Sequence, residues 1–417
     1  MKNSLYWKLS AFFFAFFFCW LVFFAFMPIW FKQILHLSGT EIGTIYSVNA
    51  IFTMMMQPCY GYISDRIGLK KTLLYFITGM VSLTGPFFIF VYGPLLTSFF
   101  SAGVVVGAIF MALVFLAGCA VVESFIEKVG RRYNFEFGRA RMWGSLGAAV
   151  GIFFAGIAFN INPNIIFWFA SVGSAVMFIV LMNVKLDEAD VEVAKKNNIS
   201  LKDVRQLFKS KDVWSFMVFI LGSACVYSVF DQQFPIYYAS LFPTEAEGNS
   251  AFGYLNSFQV FLEAGGMCIA PWIVNKIGAK KGLVLAATIM TFRMLGSGIV
   301  TNTYGISAIK LLHAIELSIL LVAVFKYLAK NFDNRLSSVM YLVGFQLSNQ
   351  VGAAILSPIV GSLYDSIGFP PTYLFLGVVV GSFTLFGLFS LRSDNKNIGN
   401  ISSSAVNDNV LEQSKYN

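Results

Sequence analysis

The stretch Gly61-Tyr-Ile-Ser-Asp65-Arg66-Ile-Gly68-Leu-Lys70-Lys71 returns, shortened, as Asn275-Lys276-Ile-Gly278-Ala-Lys280-Lys281. Each copy is a brief polar break between two long apolar runs. A glycine lets the chain turn tightly there, and the basic residues hold the turn on the cytoplasmic side of a membrane. Working outward, apolar runs of about 20 residues, each long enough to cross hydrocarbon, recur along the whole chain. Twelve spans are expected, near 9–30, 41–63, 72–92, 100–124, 140–160, 164–184, 214–240, 251–274, 282–300, 305–328, 336–360 and 371–391. Of the 417 residues 57% are hydrophobic and only 12% charged, with a mean hydropathy of +0.71. A soluble domain carries about 25% charged residues, so a soluble fold is excluded. The reading is an all-α polytopic membrane protein, and the two motif copies stand after the second span of each half.

Between the sixth and seventh spans, residues 185–213 hold 13 charged residues among 29, seven basic and six acidic. Such a segment cannot sit in hydrocarbon. It divides the chain into an N-terminal six-helix bundle (1–184), a cytoplasmic linker (185–213), a C-terminal six-helix bundle (214–391) and a flexible tail (392–417). Of the 29 Lys and Arg, three fall inside spans (Arg141, Arg293 and Lys310) and Lys32 in an outer connection. The rest fall in alternate connections or at the termini, which places both termini in the cytoplasm. The net charge of +8 forms no basic-aromatic face, so nucleic acid is not expected as a partner. Cys19, Cys59, Cys119, Cys225 and Cys268 lie in apolar runs without CxxC spacing and read as buried free thiols.

A charge inside a membrane costs several kcal/mol or more unless paired or wetted, so each one marks a candidate for function. The set is Glu123, Arg141, Asp231, Glu263, Arg293, Lys310, His313 and Glu316. Glu41 has a structural reading instead, since Ser38 three residues earlier makes a capping box. Lys32, Glu127, Arg139 and Lys326 lie near span ends, where long side chains reach the interface. Lys310, His313 and Glu316, spaced i, i+3, i+6, share one helical stripe. With two histidines in the chain and no third clustered ligand, a metal is not expected. Leaving His313 aside, three positive groups face four negative ones, so one carboxyl must be neutral for balance. Burial in apolar surroundings favours a protonated acid, and a proton-coupled carrier is the expectation. No nucleophile–base constellation or cofactor motif is present, so neither enzyme activity nor a cofactor is expected.

The first loop motif resembles the signature of the major facilitator superfamily, and its echo stands at the matching place. The resemblance implies that superfamily's twelve-helix fold, two pseudo-symmetric halves around a midplane site. Val121-Val-Glu123-Ser-Phe-Ile-Glu127-Lys, Asn134-Phe-Glu136-Phe-Gly-Arg139-Ala-Arg141, Val229-Phe-Asp231-Gln-Gln-Phe234, Lys310-Leu-Leu-His313-Ala-Ile-Glu316 and Phe325-Lys326-Tyr327 are more specific. They resemble the oligosaccharide:proton symporter family, which includes lactose, raffinose, melibiose and sucrose permeases. The resemblance implies that Glu123 and Arg141 pair and bind sugar with Glu263, His313 and Tyr227. It implies that Glu316 carries the proton, that Arg293 aids its release, and that His313 links the two sites. Asp231 and Lys310 would form an interhelical charge pair, while Gly61, Asp65, Arg66, Gly68, Lys70 and Lys71 would form the conformational loop.

Lactose-transporting members have a Trp at Ala148, an essential acid at Val260, an Asn at Glu263, and an Asp–Lys pair at Ser228 and Asn349. Sucrose-transporting members share the shifted acid and the neutral pair, and resemble Tyr46-Ser-Val-Asn49 and the run from Tyr254 to Glu263, though they have an aromatic at Ala148. Trp143 or Phe23 could supply a ring, with packing as the alternative role. The expected function is proton-coupled import of a disaccharide, sucrose foremost, by alternating access in a bacterial cytoplasmic (inner) membrane. The carrier is expected to act as a monomer, with sugar, H+ and the lipid bilayer as its partners. Another oligosaccharide, or a sugar sensor that transports nothing, is the alternative.

Overall fold

The computed structural model describes residues 2–135, 137–186, 210–332 and 340–393. The linker residues 187–209 and the tail residues 394–417 lie outside the described residues, as does the side chain of Asp65. Among the described residues the chain is helical throughout, without strands. Twelve traverses follow one another. Helix α1 is Lys2–Phe24 continued by Met27–Gln33, α2 is Gly39–Ile67, and α3 is Thr72–Ser82 continued through Gly93–Ser98. Helix α4 runs from Phe100–Met111 through a π-helical turn to Gly118–Tyr133, α5 is Phe137–Ile161 and α6 is Ile165–Asn183. The second set is α7 (Lys211–Gly222 and Ala224–Ser240), α8 (Glu245–Ile277), α9 (Ala279–Ile299), α10 (Thr303–Asn331), α11 (Tyr341–Leu347 and Ser348–Ile367) and α12 (Phe369–Ser390).

Many helices run past their apolar stretches because polar caps extend them beyond the hydrocarbon. Ser38 and Glu41 form the capping box that opens α2, and Thr244 and Asn302 accept from the first turns of α8 and α10. The repeated glycines have a common geometric role. Gly68 ends α2 at φ 67° and Gly278 ends α8 at φ 95°, a region that favours glycine. The sequence echo is thus a matched pair of helix-terminating turns.

Nine helical stretches are long and apolar enough to cross a membrane among the described residues, ten when the pair of α3 segments bent by 49° counts as one. Helices α2 and α11 complete the twelve but are too polar to pass alone. They carry Ser47, Asn49 and Thr53 on one side and Ser348 and Ser357 on the other, all buried. The two pack along each other, as do α5 and α8. Exchanging the halves maps α2 onto α8 and α11 onto α5, so these are one contact made twice.

At one end both contacts close to backbone distance. A Cβ on Gly43 would lie 2.2 Å from the Ser357 carbonyl oxygen, and one on Gly361 2.1 Å from that of Gly39. Gly253 would meet the Gly156 Cα at 3.2 Å in the same way. Asn160 donates to the Ala246 carbonyl at 2.7 Å, and Gln33 and Asn249 exchange hydrogen bonds. Asp365 at the end of α11 caps α2, accepting from the Gly39 and Thr40 N–H groups at 2.7 and 2.8 Å and the Thr40 hydroxyl at 2.7 Å. Toward the other end the halves separate around cavities.

The Phe-rich first helix packs the N-terminal core, where Phe23 is fully buried against Phe88, Phe115 and Phe167. The five cysteines are free, but only Cys19 and Cys225 are buried; Cys119 is partly so, and Cys59 and Cys268 are exposed. An apolar run in a membrane helix has an outward face too, and those two thiols stand on it. The expectation that all five are buried is corrected accordingly.

Candidate functional site

Five of the in-span ionisable groups form one network between α7, α9 and α10. Arg293 donates through Nη1 and Nη2 to the two carboxylate oxygens of Asp231, each at 3.0 Å. Its Nη2 also lies 2.8 Å from Glu316 Oε1. Lys310 Nζ reaches Asp231 Oδ1 at 2.9 Å, and His313 Nδ1 lies 2.9 Å from Glu316 Oε1 and 3.4 Å from Asp231 Oδ2. Arg293 and Glu316 are 0% exposed. Sealed charges of this kind persist only when matched, and the two cations and two carboxylates here sum to zero. The sequence set out Asp231–Lys310 and Arg293–Glu316 as two groups; the structure merges them around Asp231. Ligand atoms of Asp231, His313 and Glu316 converge within 4.8 Å. Arg293 already hydrogen-bonds Asp231 and ion-pairs with Glu316, so a metal ion there would face a cation held against the same oxygens.

This network forms one wall of a midplane cavity of about 430 Å³, within the range of roughly 300–1,000 Å³ usual for small-molecule sites. Tyr227, Asp231, Lys310 and His313 face it, whereas Arg293 and Glu316 stand behind and do not. Opposite walls carry Tyr46 and Asn49 from α2, Asn256, Gln259, Val260 and Glu263 from α8, and Asn349 and Gln350 from α11. Tyr227 packs at 5.5 Å against the His313 ring, the planes tilted by 43°, and lies under the Arg293 guanidinium at 5.9 Å. Glu263 makes no salt bridge among the described residues, so it is the carboxyl left over from the charge balance.

Glu123 and Arg141 meet at 2.8 Å, Nε to Oε1, and are about one-third exposed. The guanidinium lies 4.1 Å over the Phe17 ring, with Nη1 3.4 Å from the Ser145 hydroxyl. Glu123 lines a second, larger cavity of about 800 Å³ together with Gln57, Tyr60, Ser124 and Tyr341. Seven residues separate it on α4 from Leu116 of the midplane cavity, roughly 10 Å of helix. Of the five sugar-binding candidates, Tyr227, Glu263 and His313 line the midplane cavity and Glu123 the second one, while Arg141 lies on neither lining and joins them through Glu123. Arg141 sits one turn from the start of α5, and the end of the bundle where it stands is the open one.

Neither candidate ring lines either cavity. Phe23 is buried in the core described above, and Trp143 donates to the Tyr6 hydroxyl and packs on Trp7. Ala148, 5% exposed, also lies outside both linings. The sequence marks Asn349 only as a neutral replacement of a charge, and assigns no role to the amides at 49, 256, 259 and 350. An uncharged polar residue in an apolar span is a weak signal, although Asn49, Asn256 and Gln259 fall in runs that carry the family resemblance.

A bundle of twelve helices with a buried ion network beside an amide-lined midplane cavity is that of a secondary transporter. The family model described as LacY proton/sugar symporter matches residues 1–403. The sucrose permease of Escherichia coli is 42% identical over 95% of this chain and 96% of its own length. The raffinose permease of Escherichia coli is 40% identical over 94% of each. A solved structure of the nucleoside transporter NupG (D323A mutant) superposes with a TM-score of 0.79 at 13% identity, covering 93% of this chain and 100% of that one, which shows the shared fold. The chain belongs to the LacY proton/sugar symporter family. It is a multi-pass membrane transporter of the major facilitator fold and not an enzyme.

Proposed function

We propose that the protein imports a disaccharide, sucrose foremost, together with a proton across a bacterial cytoplasmic membrane. The observation that carries this reading is the contact between a polar, amide-lined cavity and a sealed ion network through His313. A sugar offers hydroxyls that both donate and accept, which suits amides and the Glu263 carboxyl. Glu316 would hold the proton, Arg293 would aid its release, and His313, bonded to Glu316 and facing the cavity, would relay occupancy. Asp231 and Lys310 fix the frame. Glu123 would meet the sugar from the second cavity, with Arg141 paired behind it.

With both termini cytoplasmic, the closed glycine-packed end faces outward and the cavities face inward. Rocking of residues 1–184 against 214–391 about this site would give alternating access, with the 61–71 loop as the conformational element. The site is built within one chain, which supports a monomeric carrier. Sucrose is favoured by the acid at 263 with Val260, and by the neutral Ser228 and Asn349, all four on the cavity wall.

The test is competition of unlabelled sucrose, raffinose, melibiose, lactose and maltose against radiolabelled sucrose in cells expressing the protein. Sucrose should compete best and lactose poorly. Lactose competing as well as sucrose would overturn the specificity, and absence of labelled uptake would overturn sucrose as a substrate.

A further inference from the structure

Two buried amides on the cavity wall have, among the described residues, no protein partner for their acceptor oxygens. Asn49, 3% exposed, has neither Oδ1 nor Nδ2 hydrogen-bonded, and Gln259, 2% exposed, has a free Oε1. An unmet buried polar group costs about 1–3 kcal/mol, so an arrangement that keeps these three atoms, and Asn349 Oδ1 with them, around one cavity calls for a ligand that meets them. The neighbouring polar side chains do not supply it. Asp231, Lys310 and His313 are committed to one another, and Thr53 bonds only the Asn49 main-chain oxygen.

We propose that Asn49 and Gln259 form an uncharged hydroxyl clamp that ties the two halves together through one ring of the bound sugar. This deepens the sugar-import reading and rests on it. An amide places a donor and an acceptor side by side, the pattern that adjacent ring hydroxyls complement. Asn49 carries both on α2 of the first half, and Gln259 carries an acceptor on α8 of the second. The clamp is separate from the ion network, so it sets affinity and hydroxyl preference without carrying the proton. Because its members come from different halves, bound sugar draws α2 and α8 toward one arrangement, a differential interaction of the kind that lets a ligand shift a conformational equilibrium.

The experiment measures radiolabelled sucrose binding to purified full-length protein, with mono-deoxy sucroses as competitors and raffinose, melibiose, lactose and maltose in parallel. The variants are Asn49→Leu, Asn49→Ala and Gln259→Met. Each should weaken binding by roughly 5–15-fold, the loss of one or two neutral hydrogen bonds. The Tm of sugar-free protein should stay level or rise for at least one Asn49 variant, since no bond is lost in the empty site. A mono-deoxy sucrose that binds wild type poorly should no longer be penalised in the matching variant. Wild-type affinity in the variants, an undiminished penalty for every deoxy analogue, or a lowered sugar-free Tm in both Asn49 variants would overturn the clamp. Failure of wild type to bind any sugar of the panel would overturn the sugar reading itself.

Discussion

Arg293 holds Asp231 by a two-pronged bond, both terminal nitrogens 3.0 Å from the two carboxylate oxygens. The fork is the geometry in which arginine binds a carboxylate most strongly. It also makes Asp231 the hub of the network, because Lys310 and His313 approach the same two oxygens. Any change at Glu316 is then transmitted to Asp231 through the guanidinium they share.

Removing Asp231 alone leaves two sealed cations facing one carboxylate. Asp231→Asn should therefore lower stability by about 3–5 kcal/mol, the usual cost of stranding a buried charge. Pairing it with Lys310→Ala restores neutrality, since Arg293 keeps Glu316. The double variant should recover most of the membrane level and Tm lost in the single one. Thermal unfolding in detergent checks this, and a double variant no better than the single would show that charge balance is not what the network needs.

The spans, the stripe on α10 and the paired loop turns were legible in the sequence because periodicity, rare charges and glycine are local signals. The grip of Arg293 on Asp231 was not, since α7 and α9 are brought together only by tertiary packing. Nor was the separation of Glu123 from the midplane candidates Tyr227, Glu263 and His313, which depends on how far along α4 it sits from that cavity. Asn49 and Gln259 escaped for a different reason. Polar but uncharged side chains are tolerated in many helix interfaces, and only the structure shows them without partners.

Arg141 stands with Nε on Glu123 and its plane over Phe17. Partial exposure softens the cost of losing it, so Arg141→Ala should destabilise by about 1–2 kcal/mol, less than a sealed pair would. Sugar binding should nevertheless collapse. Arg141→Lys should fail as well, because an ammonium supplies neither the fork nor the stacked plane. Equilibrium sugar binding to purified variants decides it, and full binding by Arg141→Ala would remove the pair from the sugar site.

The closed end should open when its backbone contact is wedged apart. Gly361→Val places methyl groups where the Gly39 carbonyl stands, and Asp365→Asn removes the carboxylate that caps α2. Burial pushes the Asp365 carboxyl up, but hydrogen bonds from Thr40 and Gly39, with Lys32 nearby, outweigh it and hold the group below the usual carboxylate value. A depressed value means the latch is at full strength above the ordinary carboxylate range and weakens only as pH falls below it. Between pH 5 and 8 the wild-type distance between spin labels at His36 and Ile367 should be constant. Either substitution should lengthen it at every pH in that window, and a wild-type distance that changes across it would show that another group governs the gate.

Glu316 is 0% exposed, bonded to Arg293 and His313, and absent from the cavity wall. A proton can reach it from the cavity by way of His313, which faces both. Glu316→Gln keeps the size of the side chain but can neither take up nor release a proton, and so mimics the loaded state. Sugar binding and exchange across the membrane need no deprotonation and should survive. Net turnover requires the empty carrier to lose its proton and return, so uphill accumulation should vanish. The measurement pairs concentrative uptake in cells with counterflow in vesicles lacking a proton gradient. Intact accumulation would reject Glu316 as the proton site. Loss of both activities would assign it to holding Arg293 in place, because without its charge the guanidinium keeps only Asp231, which Lys310 also claims.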